Sequence, residues 1–325
     1  MSLDDKTILI TGGTGSFGRA FLKRVLSAYE PRAVRVLSRD ELKQWELQQE
    51  FGDDERLRFL IGDIRDLERL RIAFRGVDIV VHAAALKQVP VCEYNPFEAV
   101  QTNVLGSENV IRAALDCEVE RVVAISSDKA VSPANLYGAT KLCAEKLFVR
   151  ANAYVGDRPT RFACARYGNV AGSRGSVIPL FMKQASTGQV TITDERMTRF
   201  LITLESAVDF VISCVSEMRG GEVCIPKTPS VRIVDVAEAV APGAERVSIG
   251  LRPGEKLHEV LLAPDEARHA IELPDRYVIL PDQPSWSTLA PWPDGEPVAE
   301  GFEYRSDTNQ WWLTVEEIAR IAKTL

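Results

Sequence analysis

Short apolar runs rich in β-branched residues alternate with longer amphipathic stretches through the first two thirds of the chain. The intervening stretches place apolar side chains at helical spacing, as Phe17, Phe21 and Val25 do. The pattern predicts strands at residues 6–13, 33–39, 57–63, 77–84, 121–127 and 160–169, and helices at residues 17–29, 66–74, 96–115 and 136–155. This alternation is typical of an α/β fold, a Rossmann-like doubly wound parallel sheet with helices on both faces.

The strict alternation ends after Tyr167. Beyond it the pattern predicts a helix after a loop within 171–185, a strand or loop entering a long helix over 198–218, and an amphipathic helix over 230–241. From Leu273 onward proline and tryptophan are frequent, which predicts mostly irregular chain held by aromatic anchors. We therefore predict a Rossmann domain of residues 1–165 with part of 200–225, and a smaller, interleaved C-terminal substrate lobe of residues 166–199 and 226–325.

Composition and charge exclude several classes of protein. A net charge of -7 argues against a nucleic-acid-binding surface. No run approaches the roughly 20 apolar residues that span a bilayer, and the first strand begins too early for a signal peptide, so we expect no membrane segment and a cytoplasmic location. The six cysteines form no CxxC pair and the three histidines are far apart, which predicts reduced core thiols and no metal site.

A glycine-rich turn follows the first predicted strand. Thr11 to Gly18 reads TGGTGSFG and opens the first predicted helix. Glycine lets the backbone turn sharply and approach a pyrophosphate, which the positive end of the helix attracts. The strand before the turn and the helix after it are the context that makes this motif specific. We assign to a dinucleotide the loop residues Gly12, Thr14, Gly15, Ser16, Phe17 and Gly18.

Arg39 stands twenty-one residues after Gly18, at the end of the second strand, where an NAD-preferring site usually carries a carboxylate. Its guanidinium suits a 2′-phosphate, and Ser38 can add a hydroxyl, so we predict NADP. The alternative is that Arg39 pairs with Asp40 or Glu41 and the cofactor is NAD. Further residues predicted to contact the cofactor lie after the third and fourth strands: Asp63, with helix capping as its alternative role, and Ile64, Ala83, Ala84 and Lys87.

Tyr137 and Lys141 form a YxxxK motif and share one face of a predicted helix. A neighbouring ammonium, helped by the charge of an oxidised nicotinamide, can lower the pKa of the phenol from ~10, so that Tyr137 acts as a base. The motif alone is common. Here the strand that precedes it ends in Ser126 and Ser127, and a hydroxyl there can bind a substrate oxygen.

Together these motifs resemble the extended short-chain dehydrogenase/reductase family. Within it, the strings SRDELKQ, AAALKQVP, SSDKAVSPANLYGATK, RYGNVAGSRGSVIPLF and RPGEKLHE are similar to the inverting UDP-N-acetylglucosamine 4,6-dehydratases that begin pseudaminic acid synthesis. The likeness covers roughly residues 6–262. It implies a lyase with tightly bound NADP, a UDP-sugar substrate, and a homo-oligomer that pairs through residues 96–115 and 136–155.

The resemblance also implies roles for Asp128 and Lys129. A 4-keto sugar, formed with Tyr137, Lys141 and Ser127, has an acidic C5 hydrogen, which Lys129 removes while Asp128 protonates the departing C6 hydroxyl. Burial beside a cationic cofactor would let Lys129 lose its proton. Asp128 must then be kept protonated by burial or receive a proton from Lys129. The alternative for the pair is a helix-capping aspartate beside a solvated lysine.

A second group of residues is expected at the sugar nucleotide. The glycine-rich loop after the sixth strand lies at the sheet edge where open α/β folds bind ligands. The resemblance implies that this loop borders the substrate, through Asn169, Ser173, Arg174, Ser176 and Val177. Arg199 and Arg252 are candidates for the diphosphate, Glu255 for the ribose hydroxyls, and Lys87 for the substrate, for the nicotinamide or for a structural role.

Two other functions share this scaffold. A 4-epimerase or a retaining dehydratase of another nucleotide sugar would keep every cofactor residue, although an epimerase has no need of Asp128 and Lys129. A non-catalytic NADP-binding regulator would be expected to lose Tyr137 or Lys141, and both are present.

Overall fold

The computed structural model describes residues 2–173, 175–281 and 292–325. The strands in chain order are β1 (Thr7–Thr11), β2 (Ala33–Ser38), β3 (Leu57–Ile61), β4 (Ile79–His82), β5 (Arg121–Ile125), β6 (Arg161–Ala165), β7 (Asn169–Val170), β8 (Gln189–Ile192), β9 (Thr198–Ile202), β10 (Val223–Pro226), β11 (Ser230–Arg232), β12 (Glu245–Ser248), β13 (Val260–Leu262), β14 (Ala270–Glu272), β15 (Arg276–Ile279), β16 (Glu296–Pro297) and β17 (Tyr304–Arg305).

The α-helices are α1 (Ser16–Ala28), α2 (Glu41–Phe51), α3 (Leu67–Phe74), α4 (Val89–Tyr94), α5 (Pro96–Val100), α6 (Gly106–Asp116), α7 (Leu136–Ala151), α8 (Val177–Ala185), α9 (Leu204–Glu217), α10 (Ile233–Val240), α11 (Pro264–Ala267) and α12 (Val315–Ala322). A π-helical turn, Gln101–Leu105, joins α5 to α6, and 3₁₀ turns lie at Asp128–Ala130 and Asn152–Tyr154.

One large sheet organises the molecule. Its order among the described strands is β16-β14-β15-β10-β6-β5-β4-β1-β2-β3, and β3 through β10 in this order run parallel. The strand order reverses between β1 and β4, which is where doubly wound sheets bind ligands. The predicted Rossmann-like α/β fold is confirmed.

The core lies on both faces of this sheet, since parallel strands covered by helices are buried on both sides. Ile8 and Ile10 of β1 pack with Phe21 of α1 on one face. Leu9 of the same strand packs with Phe74 and Phe148 on the other face. The alternation of these side chains fixes the register of β1 and therefore the position of the glycine turn that follows it.

The C-terminal lobe has its own core. Ile178 and Phe181 of α8 pack with Val236 of α10 and Ile318 of α12. Two small sheets, β11-β9-β7 and β12-β8, contribute side chains to this core, whereas the third, β13-β17, packs into the core on the large sheet. The predicted helices at 17–29, 66–74, 96–115 and 136–155 are present within a few residues of their predicted ends, and the segment 96–115 is divided by the π-helical turn.

The described part of the tail after Leu273 is mostly irregular, as predicted, although Arg276–Ile279 is a strand paired antiparallel to β10 and Val315–Ala322 is a helix. Residues 282–291 of that tail lie outside the described residues. The predicted domain boundary was wrong in one respect. Because β14, β15 and β16 extend the large sheet, residues after 226 belong to it as well. The sequence pattern also missed α2, whose only buried side chains are Gln44 and Leu47.

All six cysteines are free thiols, as predicted. Four of them are buried, but Cys143 is exposed on α7 and Cys117 is half-buried, so the expected core position is wrong for these two. Within the described ranges, no helix combines the length and apolarity that crossing a membrane requires.

Candidate active site

The turn after β1 requires glycine at two positions. Gly12 has φ of +69°, and a Cβ there would lie 2.9 Å from the Ala84 backbone. A Cβ on Gly18 would lie 2.2 Å from the Gly13 carbonyl oxygen, so α1 packs against the turn with no space for a side chain. Gly15 is the N-cap of α1 and has no side chain to occupy the first amides of the helix, which stay available for an anion.

Two adjoining clefts meet at Gly12 and Ala84. The larger cleft, of about 620 Å³, contains Gly15, Ser16, Phe17, Gly18 and Ala83 and extends to the catalytic motifs. The smaller cleft, of about 380 Å³, is lined by the residues predicted for the adenosine half: Thr14, Ser38, Arg39, Asp63 and Ile64. The pair of clefts therefore fits a dinucleotide whose pyrophosphate lies at the N-terminus of α1.

Arg39 faces the smaller cleft with about half of its side chain exposed (53%) and with Nη1 3.7 Å from Asp63 Oδ2. The Asp40 carboxylate caps α2 and pairs with Lys43. Asp40 is therefore engaged within its own helix, and Arg39 keeps a cationic end in the cleft.

The sequence left two roles open for Asp63 and Asp66, which were helix capping and contact with the cofactor. The structure gives one role to each residue. Asp66 caps α3 by accepting from Arg69 N at 3.0 Å. Asp63 lines the smaller cleft and accepts from Arg65 Nε at 2.9 Å. Burial alone would raise the pKa of Asp63, but the hydrogen bonds from Arg65 outweigh burial and lower it.

The segment after β5 holds the candidate acid and base in a tight local structure. Ser127 caps the 3₁₀ turn Asp128–Ala130 by accepting from Lys129 N at 3.2 Å, and its hydroxyl donates to Asp128 Oδ1 at 2.7 Å. Asn135 caps α7 by accepting from Gly138 N at 2.8 Å. A Cβ on Gly138 would lie 2.1 Å from the Lys129 carbonyl oxygen, so α7, which carries Tyr137, packs directly on the turn.

Asp128 and Lys129 form an ion pair at the wall of the larger cleft. Lys129 Nζ lies 3.1 Å from Asp128 Oδ1 and 3.4 Å from Glu259 Oε1. Asp128 is 1% exposed, whereas a quarter of the Lys129 side chain is exposed. Burial would lower the pKa of Lys129, but the two carboxylates outweigh burial and raise it above its ordinary value. Without a cofactor, these two carboxylates therefore favour the ammonium form of Lys129, and loss of its proton beside a cationic cofactor stays a prediction.

Tyr137 is buried in the same wall. Burial raises its pKa to about 12, while the Lys129 charge and a hydrogen bond with Ser127 act in the lowering direction. Lys141, expected to supply that charge, donates from Nζ to Ile125 O at 2.6 Å. Burial lowers the pKa of Lys141. The strongest cationic influence on Tyr137 thus comes from Lys129.

Four buried polar atoms that line the larger cleft have no hydrogen-bond partner among the described residues. They are Ser126 Oγ, Asn169 Oδ1, Ser176 Oγ and Glu259 Oε2. Buried polar groups are nearly always paired, so unpaired ones at a cleft wall indicate atoms that a ligand would satisfy. Asn169 and Ser176 belong to the loop predicted to border the substrate.

Other members of the predicted substrate set also reach the larger cleft. Ser173, Val177 and Lys87 line it, and burial lowers the pKa of Lys87. Arg174 lies outside the described residues.

The two predicted diphosphate arginines differ in their surroundings. Arg199 donates to the carbonyls of Thr198 (2.7 Å), Leu257 (2.9 Å) and Lys256 (3.0 Å), so its guanidinium is committed to the protein backbone. Arg252 is exposed and lines the same cleft, with Nη1 3.8 Å from Glu255 Oε1. Of the two, Arg252 has the donors available for an anionic ligand.

The turn that carries Arg252 is fastened to the catalytic segment. Asn135 Nδ2 donates to Gly254 O at 2.8 Å, and Lys256 Nζ donates to Val131 O at 2.6 Å. The substrate lobe and the 3₁₀ turn therefore hold one another in position across the cleft.

Glu259 is the site residue that the sequence analysis missed. The RPGEKLHE string was recognised, but its last residue stands far along the chain from Lys129 and no spacing rule joins the two. The fold brings them together because β13, which follows Glu259, passes the 3₁₀ turn of Asp128–Ala130. The same string also contributes Lys256 to the cleft.

Comparisons with known proteins identify the family of the chain. Residues 8–281 match the family described as polysaccharide biosynthesis protein. The chain is 49% identical to a UDP-N-acetylglucosamine 4,6-dehydratase (inverting) of Campylobacter jejuni over 97% of each chain. It is also 40% identical to a UDP-glucose 4-epimerase of Rickettsia akari over 99% of this chain and 96% of that protein.

Solved structures show the same relationship. Pen from Bacillus thuringiensis superposes with a TM-score of 0.91 at 42% identity, covering 100% of this chain and 99% of that one. DesIV, a dTDP-glucose 4,6-dehydratase from Streptomyces venezuelae, superposes with a TM-score of 0.68 at 24% identity over 77% of this chain and 86% of its own, which shows a shared fold.

Proposed function

The chain belongs to the polysaccharide biosynthesis protein family of extended short-chain dehydrogenase/reductases, and we propose that it is an NADP-dependent UDP-N-acetylglucosamine 4,6-dehydratase that inverts C5. The observation that carries the proposal is the Asp128–Lys129 ion pair beside Tyr137 in the larger cleft. Oxidation at C4 needs only the tyrosine and the cofactor, whereas elimination of water also needs an acid and a base. The Campylobacter jejuni relative carries this activity in its name.

The residues that line the two clefts would hold the cofactor. The amides at the start of α1 would bind the pyrophosphate, and Arg39 with Ser38 would bind a 2′-phosphate, which is the argument for NADP over NAD. When bound, the nicotinamide supplies the hydride acceptor and donor for C4 and C6. Ser126 Oγ, buried and unpaired at the cleft wall, is a further hydrogen-bonding group on the ligand side.

Tyr137 is the base for the first step. Its Oη would take the proton of the C4 hydroxyl as C4 becomes a ketone. The pKa of about 12 makes the phenol a weak acid in the free protein, so the reaction depends on the cations that the site gathers around it. Lys129 already acts in this direction, and a cationic nicotinamide would add to it. Lys141, fixed by Ile125 O, would hold the cofactor's ribose.

Lys129 and Asp128 carry out the elimination as a pair. Transfer of one proton from Lys129 Nζ to Asp128 across 3.1 Å gives a neutral amine and a protonated acid. The amine then takes the C5 proton, the electron pair of that C–H bond forms the C5–C6 double bond, and the C6–O bond breaks. Asp128 gives its proton to the departing hydroxyl, which leaves as water. Both residues end this step in their starting protonation states. Return of the hydride to C6 and delivery of a proton to C5 on the opposite face would then complete the 4-keto-6-deoxy sugar.

The sugar nucleotide is expected between the 169–177 loop and the Arg252 turn. Asn169 and Ser176 present unpaired polar atoms to it, and Arg252 can bind a diphosphate oxygen while Glu255 accepts from ribose hydroxyls. Arg199 acts by holding the Lys256–Leu257 backbone at the cleft wall.

A 4-epimerase is the second candidate, because the Rickettsia akari relative is named a UDP-glucose 4-epimerase. Incubating the purified protein with UDP-N-acetylglucosamine and analysing the product by mass spectrometry and NMR separates the two. The proposal expects a 4-keto-6-deoxy product that has lost one water. A product of unchanged mass with inverted C4 would replace the dehydratase by the epimerase, and unchanged substrate would overturn both for this sugar.

Self-association is supported by an apolar surface on the α4–α5 segment. Tyr94 is 87% exposed and Phe97 is 80% exposed, and Val91, Val100 and Leu105 are exposed nearby in sequence. Side chains of this size gain free energy when a second copy covers them. We propose that this segment, rather than the whole of 96–115, contributes to the homo-oligomer. Cytoplasmic location and a place in pseudaminic acid synthesis stay predictions.

A further inference from the structure

Glu259 is a buried carboxylate that the elimination described above does not use. Its side chain is 3% exposed, and it lines the larger cleft. Its backbone is fixed on both sides, since Glu259 N donates to Ser306 Oγ and Ser306 N donates to Glu259 O, each at 2.9 Å. Its Oε2 has no hydrogen-bond partner among the described residues. A buried carboxylate is costly unless cations compensate it, so its position calls for an explanation.

The cations that compensate Glu259 are Lys129 and Arg199. Its Oε1 lies 3.4 Å from Lys129 Nζ and 3.7 Å from Arg199 Nε. Arg199 is immobilised by its bonds to three backbone carbonyls. Lys129 is the partner whose charge must change during the reaction, so it is the one that Glu259 can control.

We infer that Glu259 is a positioning residue that fixes Lys129 Nζ between two carboxylates and so keeps the C5 base and the C6 acid together as one proton-sharing unit. The role of that unit rests on the proposed function. Asp128 on one side and Glu259 on the other hold the ammonium at a defined point of the cleft wall. Without Glu259, the lysine would be held by Asp128 alone and repelled by Arg199.

The charged and titratable groups around Lys129 determine the sign of the effect. Asp128 and Glu259 favour its ammonium form, Arg199 disfavours it, and Tyr137 favours it when ionised. Lys256 is a further cation acting within the same group of charges. Neutralising Glu259 removes one of the two carboxylates, so Lys129 must release its proton at lower pH.

The test is Glu259→Gln in the full-length protein, with Glu222→Gln as the matched control. Glu222 is also buried, but it accepts from the backbone amides of Arg219 and Gly220, both at 2.7 Å, and is not among the residues that line the larger cleft. Acetic anhydride labels free amines and not ammonium groups. Labelling of Lys129, followed against pH by peptide mass spectrometry, therefore reports its ionisation without any turnover.

The labelling midpoint of Lys129 should move down by at least about one pH unit in Glu259→Gln and stay in place in Glu222→Gln. Glu259→Asp, which restores the charge on a shorter side chain, should return the midpoint toward that of the natural protein. In turnover by Glu259→Gln, kcat should fall about tenfold, while KM for the UDP-sugar should change less than twofold. The alkaline limb of the kcat–pH profile should move to lower pH, as the labelling midpoint does.

Coincident labelling profiles for Glu259→Gln and the natural protein would overturn the inference. The inference would also be overturned if the labelling midpoint of Lys129 shifts in Glu259→Gln while the alkaline limb of its kcat–pH profile does not move. If the natural protein removes no water from UDP-N-acetylglucosamine, the proposed function fails, whereas the labelling profiles still decide whether Glu259 controls Lys129.

Discussion

Lys129 Nζ lies 3.1 Å from Asp128 Oδ1, and the two side chains come from consecutive residues of one 3₁₀ turn. Consecutive residues rarely bring their side chains together, but the tight turn and the Ser127 cap make it possible here. Because α7 packs on the Lys129 carbonyl, the same turn also fixes Tyr137. The positions of Asp128, Lys129 and Tyr137 in the proposed reaction therefore all depend on the 3₁₀ turn Asp128–Ala130.

Asp128→Asn should remove the acid and also the proton acceptor of Lys129. An amide cannot protonate the C6 hydroxyl, so water loss should fall by about 10²–10⁴-fold. An amide cannot take the Lys129 proton either, so Lys129 stays an ammonium and in deuterated water the recovered substrate should contain little deuterium at C5. NMR of the recovered sugar nucleotide measures both. Asp209→Asn, an exposed position paired with Arg24, is the control and should behave as the natural protein does. Normal water loss in Asp128→Asn would contradict its role as the acid.

Arg39→Ala tests the choice of cofactor. Loss of the cation at the smaller cleft should weaken NADP binding by about 10–100-fold and leave NAD binding nearly unchanged, since only NADP carries the 2′-phosphate. Calorimetric titration of the cofactor-free protein with each dinucleotide gives the two affinities. Arg58→Ala on the neighbouring strand removes a cation that bonds to the backbone, and it should alter neither affinity. An equal loss for NAD and NADP would argue against a 2′-phosphate contact.

Gly18→Ala should destabilise the protein by more than about 2 kcal/mol, because its Cβ would overlap the Gly13 carbonyl at 2.2 Å. The same change should abolish cofactor binding by displacing α1 from the turn. Gly52→Ala provides the comparison. Gly52 has φ of +65° with open space around it, so alanine there costs only about 1–2 kcal/mol for the left-handed conformation. Denaturant unfolding of both variants gives the difference, and equal losses would refute the packing argument.

His82 should make stability depend on pH. It is buried against Thr11, and burial, helped by the Lys141 charge, lowers its pKa to about 3. The unfolded chain therefore takes up a proton near pH 6.5 while the native protein does not, so His82 reduces stability as pH falls from about 6.5 towards 3. In His82→Gln the free energy of unfolding should fall less steeply, by ~1.4 kcal/mol per pH unit. Parallel profiles for the two proteins would show that His82 is not the group responsible.

Contiguous motifs allowed much of the fold and of the candidate site to be predicted. Each of three motifs lies within a few consecutive residues, so local spacing was sufficient to identify it. They are the glycine turn, the Ser126–Lys129 segment and the YxxxK helix. Glu259 could not be found in this way, because its partner Lys129 is joined to it only by the passage of β13 beside the 3₁₀ turn.

The structure also corrected one electrostatic expectation and one element assignment. Sequence spacing suggested that Lys141 lowers the pKa of Tyr137, but Lys141 is bonded to Ile125 O and Lys129 exerts the stronger influence. Likewise, β15 was missed in the tail because it is a short strand at the antiparallel side of the sheet, with no helix following it to complete the alternation.

The most direct test of the elimination follows solvent deuterium during turnover of UDP-N-acetylglucosamine by the natural protein and by Lys129→Met, with Lys183→Met on the exposed face of α8 as the control. The account predicts a product with deuterium at C5 and no C6 hydroxyl from the natural protein and the control, and neither change from Lys129→Met. Water loss that survives in Lys129→Met, or a natural-protein product without deuterium at C5, would contradict it.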